Sequence, residues 1–348
     1  MKLLGCVLCL VAGGVGMAQT PAPAEQDQPD YTLRTTSNVV LMPTQVQTKH
    51  GDMLYTLTAD QFVVEDNGVR QKVKLDEDTD SLGLSLVVAV QCSRSAVMEF
   101  QKLQGLGTMI DEIAGGAPRE VAIVEYGSDA DVIGKFTSSP DGTMRALADL
   151  QPCEDTGAAT LDAVAFAAKM LDARKNHYRH AILLISETRD HGSKIRAEEV
   201  IASLGRTNTV VDAVSFQPAK NEMALSLFHG QYGPGPIGLL VAAVHAMRKN
   251  VSKQLAALSG GEYINFGSQK GFDNGLHTIS NHIHNYYLLS FQPPSNDKEP
   301  GLHKLTVKIP DYPDAKIRTR ESYWSGALDV PVVPETKDEL KDDKDDKK

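Results

Sequence analysis

Basic charge is in short supply: 35 Lys and Arg stand against 45 Asp and Glu, a formal net charge of −10. A general nucleic-acid binder needs a basic stripe to neutralise phosphates, and an anionic membrane attracts the same feature. Both are therefore excluded as electrostatic partners. Cysteine is scarcer still, with four in 348 residues. No pair lies at metal-ligand spacing within the part expected to fold, which excludes a zinc module. Long apolar runs are missing too, and nothing approaches the ~20 residues of a membrane-spanning helix. There is no visible repeat and no Gly-x-Ser-x-Gly elbow around a serine. Gly233-Pro234-Gly235-Pro236 lacks the Lys and the spacing of a phosphate loop.

What remains is enough apolar material, 41% of residues, for one large domain or two modest ones. Met1 and Lys2 precede a short apolar run from Leu3 to Ala12, then small residues ending at Ala18. One positive charge, a short apolar stretch and a small-x-small site predict an export signal over residues 1–18. The mature chain is then periplasmic or extracellular, and it keeps only Cys92 and Cys153, in a compartment where disulfides persist. Residues 19–36 read as a disordered polar leader, and 326–348 as a solvated tail of mixed charge.

Between these ends the pattern changes twice. Residues 37–80 read as a small β segment, with Asn67-Gly68 as a hairpin signal between two short strands. Leu84 to Val90 is nearly all apolar, as a strand buried on both faces of a parallel sheet requires. Strands at 121–124, 132–133, 181–185, 210–216 and 263–266 then alternate with helices near 96–113, 141–150, 159–173, 195–204, 237–258 and 270–284. That alternation predicts a doubly wound, mostly parallel α/β sheet flanked by helices over residues 81–284. Residues 217–236 interrupt the rhythm as a Pro- and Gly-containing loop. Residues 285–325 return to strand pattern, and the two β segments are expected to pack together as one small β module.

In such a sheet ligands bind beyond the carboxyl ends of the strands. Three segments should meet there: Gln91-Cys92-Ser93-Arg94-Ser95, the stretch from Thr156 to Asp162, and Ser186-Glu187-Thr188. Together with Asp60-Gln61-Phe62-Val63-Val64-Glu65-Asp66-Asn67-Gly68, Tyr286 to Phe291 and Ile317-Arg318-Thr319-Arg320, their order resembles the von Willebrand factor type A domain. The resemblance is to the secreted branch typical of Acidobacteria and covers about residues 37–325. It implies a metal-ion-dependent adhesion site, in which an Asp-x-Ser-x-Ser loop, a distant Thr and a distant Asp surround a magnesium ion. Here Ser93 and Ser95 match the two serines and Glu187 stands at the second Asp position. Gln91 replaces the first Asp, and Ala158 falls at the Thr position. Thr156 and Thr160 are each two residues out of register. A strongly hydrated cation is poorly served by one carboxylate, so the site is expected to be degenerate, with no magnesium and no other cofactor. The family's topology also implies that Cys92 and Cys153 reach the same end of the sheet, which leaves two readings open: a disulfide between them, or two small apolar side chains that never meet.

The remaining candidates are weaker. His277, His282 and His284 do not share one helical face, and are expected to be solvent-facing or helix-end histidines. Asn250-Val251-Ser252 matches a glycosylation sequon, expected to be incidental. The reading is an exported, non-enzymatic interaction or adhesion module for an unidentified protein partner. The alternatives are a metal-dependent adhesin with a non-standard site, or a hydrolase or redox protein using Cys92 or Ser93.

Overall fold

A computed structural model describes residues 39–76, 82–103, 105–216, 235–293 and 301–326. The expected signal (1–18), the leader (19–36), most of the loop at 217–236 and all but Gly326 of the charged tail lie outside the described residues. The leading segment holds β1 (Val40–Gln47), β2 (Val63–Asp66), β3 (Val69–Gln71) and β4 (Lys74–Asp76). The α/β part follows with β5 (Leu84–Gln91), α1 (Leu106–Ala114), β6 (Arg119–Tyr126), β7 (Ala130–Thr137), α2 (Pro140–Ala148) and α3 (Thr160–Asp172). It continues with β8 (Arg179–Glu187), α4 (Ala197–Thr207), β9 (Val210–Phe216), α5 (Pro236–Lys249), α6 (Val251–Ser259), β10 (Tyr263–Asn265) and α7 (Gln269–His284). The chain then forms β11 (Tyr287–Phe291), β12 (Gly301–Lys308), β13 (Lys316–Arg318) and β14 (Ser322–Ser325).

The central sheet has the order β10-β9-β8-β5-β6-β7. All its pairings are parallel except that of β7, which returns antiparallel along β6. Every residue of β5 is buried because the strand lies mid-sheet with helices on both faces. Leu84, Leu86, Val88 and Val90 meet α1, α2 and α7, while Val87 and Ala89 point into the core under α3 to α6. The chain leaves β5 toward β6 and later returns to β8 on the other side. The switch point of the sheet is therefore the crevice between the loops that follow β5 and β8.

The two β segments pair with each other in antiparallel register. Sheet β13-β1-β11-β4 faces sheet β14-β12-β2-β3, so neither segment builds a complete sheet alone. Met42, Phe62, Val64, Leu289, Phe291 and Leu305 fill the space between them. The Asn67-Gly68 turn has φ of 49° and 83°, the positive pair that a two-residue hairpin demands. Asp66 next to it is buried, taking the Tyr323 hydroxyl at 2.7 Å and lying 2.8 Å from His303 Nδ1. The acid of this motif thus fastens three strands of one sheet.

The module also shares a core with the domain. Leu302 and Trp324 belong to the same buried cluster as α4 and α5. Gly205 of α4 permits that approach: a β carbon there would lie 2.6 Å from the Trp324 backbone nitrogen. Arg320, fully buried, donates to Leu41 O at 3.1 Å, Asn208 Oδ1 at 2.7 Å and Ser322 O at 2.9 Å. Desolvation lowers its pKa to about 10, so it remains a cation at neutral pH and ties both β segments to the end of α4.

Several expected helices are divided. The stretch 96–113 is a 3₁₀ helix at Arg94–Leu103 followed by α1, because Gly105 turns left-handed with φ of 87°. The stretch 237–258 breaks at Asn250, whose side chain caps α6 by accepting from Lys253 N at 2.9 Å. Asn250 is 4% exposed, and its amide also donates to Tyr263 Oη at 2.7 Å, so the sequon asparagine is a structural cap. No helix among the described residues is long and apolar enough to cross a membrane.

Candidate functional site at the carboxyl end of the sheet

Strand β5 delivers Gln91 to the switch point with only 1% of the residue exposed. Its amide nitrogen donates to Ser93 Oγ at 2.8 Å and to Ser95 Oγ at 2.9 Å. Its carbonyl oxygen accepts the Glu187 backbone N–H at 2.9 Å. A backbone N–H only donates, so the orientation of the amide is determined, and both of its hydrogens point at the serines. One carboxamide thereby joins the loop after β5 to the end of β8.

The other expected ligands face elsewhere. Glu187 is 8% exposed and its Oε1 lies 3.2 Å from His191 Nε2. Ala158 exchanges two backbone hydrogen bonds with His191, at 2.9 and 2.8 Å, and offers no side-chain oxygen. Thr160 Oγ1 lies 3.3 Å from the Tyr126 hydroxyl and donates to Ala158 O at 3.4 Å. Burial pushes the Tyr126 phenol well above its usual range, so it stays protonated.

A disulfide joins Cys92 to Cys153, with 5.1 Å between Cα atoms. Beside it, Cys153 N donates to Cys92 O at 2.8 Å, closing the loop before α3 against the loop after β5. The bridge lies next in sequence to both Gln91 and Ser93.

Three aspartates complete this end, of which Asp155 and Asp190 lie outside the three segments expected to meet there. Asp155 accepts from Gly157 N at 2.9 Å, Ser128 N at 2.6 Å and Ser128 Oγ at 2.9 Å. Those donors, the Gly157 and Ser128 amides first, hold its pKa down to about 2. Asp190 accepts from Leu161 N at 2.9 Å, satisfying an amide in the first turn of α3, and from Ser193 Oγ at 2.6 Å. Asp162 returns the interaction, taking the Lys194 and Ile195 amides at 2.9 and 2.8 Å. Asp-x-Gly at 155–157 and Asp-x-x-Ser at 190–193 are turn signals that could have drawn attention to two of them.

This arrangement does not suit a magnesium ion. A hard cation needs convergent oxygen lone pairs, whereas Gln91 directs two N–H bonds at the serine hydroxyls. Among the described residues, no group of three or more His, Cys, Asp or Glu is placed to hold a metal ion. The histidines of α7 divide between two settings. His277 Nδ1 lies 2.8 Å from Glu112 Oε1, and His284 Nε2 lies 3.1 Å from Glu112 O, so these two fasten α7 to α1. His282 lies in the last turn of α7, a helix-end residue as expected, but it does not face solvent: it is 3% exposed, because its face of α7 turns toward the sheet.

No family model matches the chain and no curated protein is similar to it. Among solved structures it is similar to the protein BatB of Bacteroides thetaiotaomicron, with 16% identity, 57% of this chain and 100% of that one covered, and a TM-score of 0.39. It is also similar to a von Willebrand factor type A protein from Catenulispora acidiphila, with 12% identity, coverage of 84% and 74%, and a TM-score of 0.41. The von Willebrand factor domain of the pilus tip protein Mfa5 from Porphyromonas gingivalis gives 7% identity, coverage of 59% and 96%, and a TM-score of 0.40. Similarity at this level carries no weight by itself; the architecture rests on the strand order and register described above.

Proposed function

We propose that this chain is an exported, non-enzymatic protein-interaction module of the von Willebrand A type, in which Gln91 takes the structural place of the adhesion-site cation. The observation that carries the reading is the Gln91 carboxamide, which links Ser93, Ser95 and the Glu187 backbone. Those are the groups at the positions where the family resemblance puts an ion. The Cys92–Cys153 bridge supports export, since such bonds persist in oxidising compartments. It also removes Cys92 as a free thiol nucleophile. Ser93 is fully buried and its hydroxyl is engaged by Gln91, which disfavours a serine hydrolase.

Binding then falls to the exposed rim around the closed centre. Arg94 with Glu154 and Lys194 with Asp129 form well-exposed ion pairs there, at 3.0 and 2.8 Å. A partner reading this rim binds without divalent metal. The test is capture from the native periplasm or medium in EDTA, with wild type beside a chain carrying Arg94→Glu and Lys194→Glu. A partner held in EDTA and lost on the double charge reversal supports the reading. Release by EDTA, restored by magnesium, would overturn the metal-free part; turnover of a substrate that depends on Ser93 would overturn the non-enzymatic part.

A further inference from the structure

The opposite end of the central sheet contains a cavity of 260 Å³ between the α/β domain and the β module. Its walls are largely apolar: Leu84 and Val210 from the sheet, Leu41 and Leu288 from the module, and the rings of Tyr178 and Tyr286. Its volume falls just below the about 300–1,000 Å³ of drug-sized small-molecule sites, which suits a small ligand.

His282, Asp212 and Arg179 stand among its polar lining residues, beside two further histidines (His177 and His180), two asparagines and a threonine. His282 is 3% exposed, and neither ring nitrogen has a hydrogen-bond partner. Asp212 Oδ1 lies 3.6 Å from His282 Nδ1, beyond hydrogen-bond reach, and already accepts the Glu262 amide at 2.8 Å. Arg179 donates from Nη1 to Ile283 O at 3.3 Å, with its guanidinium 5.0 Å from the centre of the Tyr286 ring. Its buried Nε has no partner. Buried polar atoms are rarely left without a partner, so an imidazole with neither nitrogen hydrogen-bonded at an apolar cavity calls for an occupant.

The chemistry of that occupant follows from the walls. Asp212 and Arg179 bring one charge of each sign, which favours neither an anion nor a cation. The imidazole presents two ring nitrogens without hydrogen-bond partners, and a hydroxyl group, donor and acceptor at once, answers either of them. Aromatic and aliphatic walls around a narrow space suit a flat ring system. We infer that the cavity binds a small neutral aromatic molecule of one or two rings, with a hydroxyl group on His282 and its rings against Tyr178, Tyr286 and the aliphatic walls. This inference stands apart from the interaction role proposed for the other end of the sheet.

The test titrates the full mature chain with 2-naphthol, and in parallel with naphthalene and naphthalene-2-sulfonate, by calorimetry and by NMR of the histidine ring nitrogens. Saturable binding of one 2-naphthol per chain is expected, with a shift of the His282 ring signals. Naphthalene should bind about tenfold more weakly or worse, for want of the hydroxyl, and the sulfonate should not compete. His282→Phe should erase the preference for 2-naphthol over naphthalene. Leu41→Trp, at the module side of the cavity, should block both while leaving the circular dichroism spectrum unchanged. Absence of saturable 2-naphthol binding would mean a cavity holding only water and would overturn the inference. Equal affinity for 2-naphthol and naphthalene, or binding untouched by Leu41→Trp, would overturn it as well; the second arm decides the matter should His282→Phe fail to fold.

Discussion

At the carboxyl end of the sheet, Gln91 spends both amide hydrogens on serines and its carbonyl on a backbone amide. At the amino end of the same sheet, His282 spends neither ring nitrogen, although it is buried about as deeply. The first end has short loops tied to each other by a disulfide, capping aspartates and a two-way bridge between Ala158 and His191. The second is a junction where a separate β module packs against the domain and leaves space. Open α/β sheets ordinarily bind ligands at the carboxyl end. In this molecule the Gln91 carboxamide is fully answered at that end, whereas an imidazole with neither nitrogen hydrogen-bonded lies at the other.

The comparison can be broken most strongly at the disulfide. Replacing Cys92 and Cys153 together by Ala opens a link across 61 residues of sequence, worth about 4 kcal/mol in the chain-entropy estimate. Urea denaturation of the double variant against the oxidised wild type measures it. An unchanged midpoint would show that the carboxyl end does not depend on the bridge.

Gln91→Leu comes next. It strands two serine hydroxyls and the Glu187 amide, and at the usual cost of unpaired buried groups the loss is about 3 kcal/mol. The converse change sharpens the contrast by supplying what a cation requires. Gln91→Asp with Ala158→Thr is expected to raise stability by ~2.7 kcal/mol at a hundredfold excess of magnesium over Kd. Wild type should melt at the same temperature in magnesium and in EDTA.

Acid should loosen the carboxyl end through Asp155. Its folded pKa of about 2 lies below the ordinary 3.8, so its contribution is fully present above pH 4 and is lost as pH falls through 2. Melting temperatures of Asp155→Asn should accordingly vary less between pH 4 and pH 2 than those of wild type. The smallest effect belongs to the rim: Glu154→Gln removes an exposed ion pair with Arg94 and should cost less than ~0.5 kcal/mol. Chemical denaturation that found several times this loss would place Glu154 within the tied network.

The parts of the fold that could be read in advance are those that local pattern controls. Leu84 to Val90 is buried on both faces, as its nearly all-apolar run requires. Asn67-Gly68 forms its turn because those residues tolerate positive φ. The long helices at 96–113 and 237–258 were overextended because Gly105 and Asn250 each sit inside an apolar periodicity that continues past them. Strand β14 gives no alternation signal in the sequence: Trp324 packs on α4 and Tyr323 faces the sandwich, so this short strand is buried on both sides. At the candidate site, the loops and their order were readable, but the direction of the Gln91 amide was not. The burial of His282 was hidden too, since spacing along α7 does not say which face meets the sheet.

Local side-chain pattern dictates the layer architecture and the Asn67-Gly68 turn. Each follows from side-chain chemistry acting over a few neighbouring residues. Which buried polar atoms are answered depends instead on how distant segments pack. Gln91 finds the amide of Glu187, 96 residues away in the chain, whereas His282 comes within 3.6 Å of Asp212 and forms no hydrogen bond. A hydrogen bond is made or lost over a few tenths of an ångström, and only the packing of distant segments sets separations that finely.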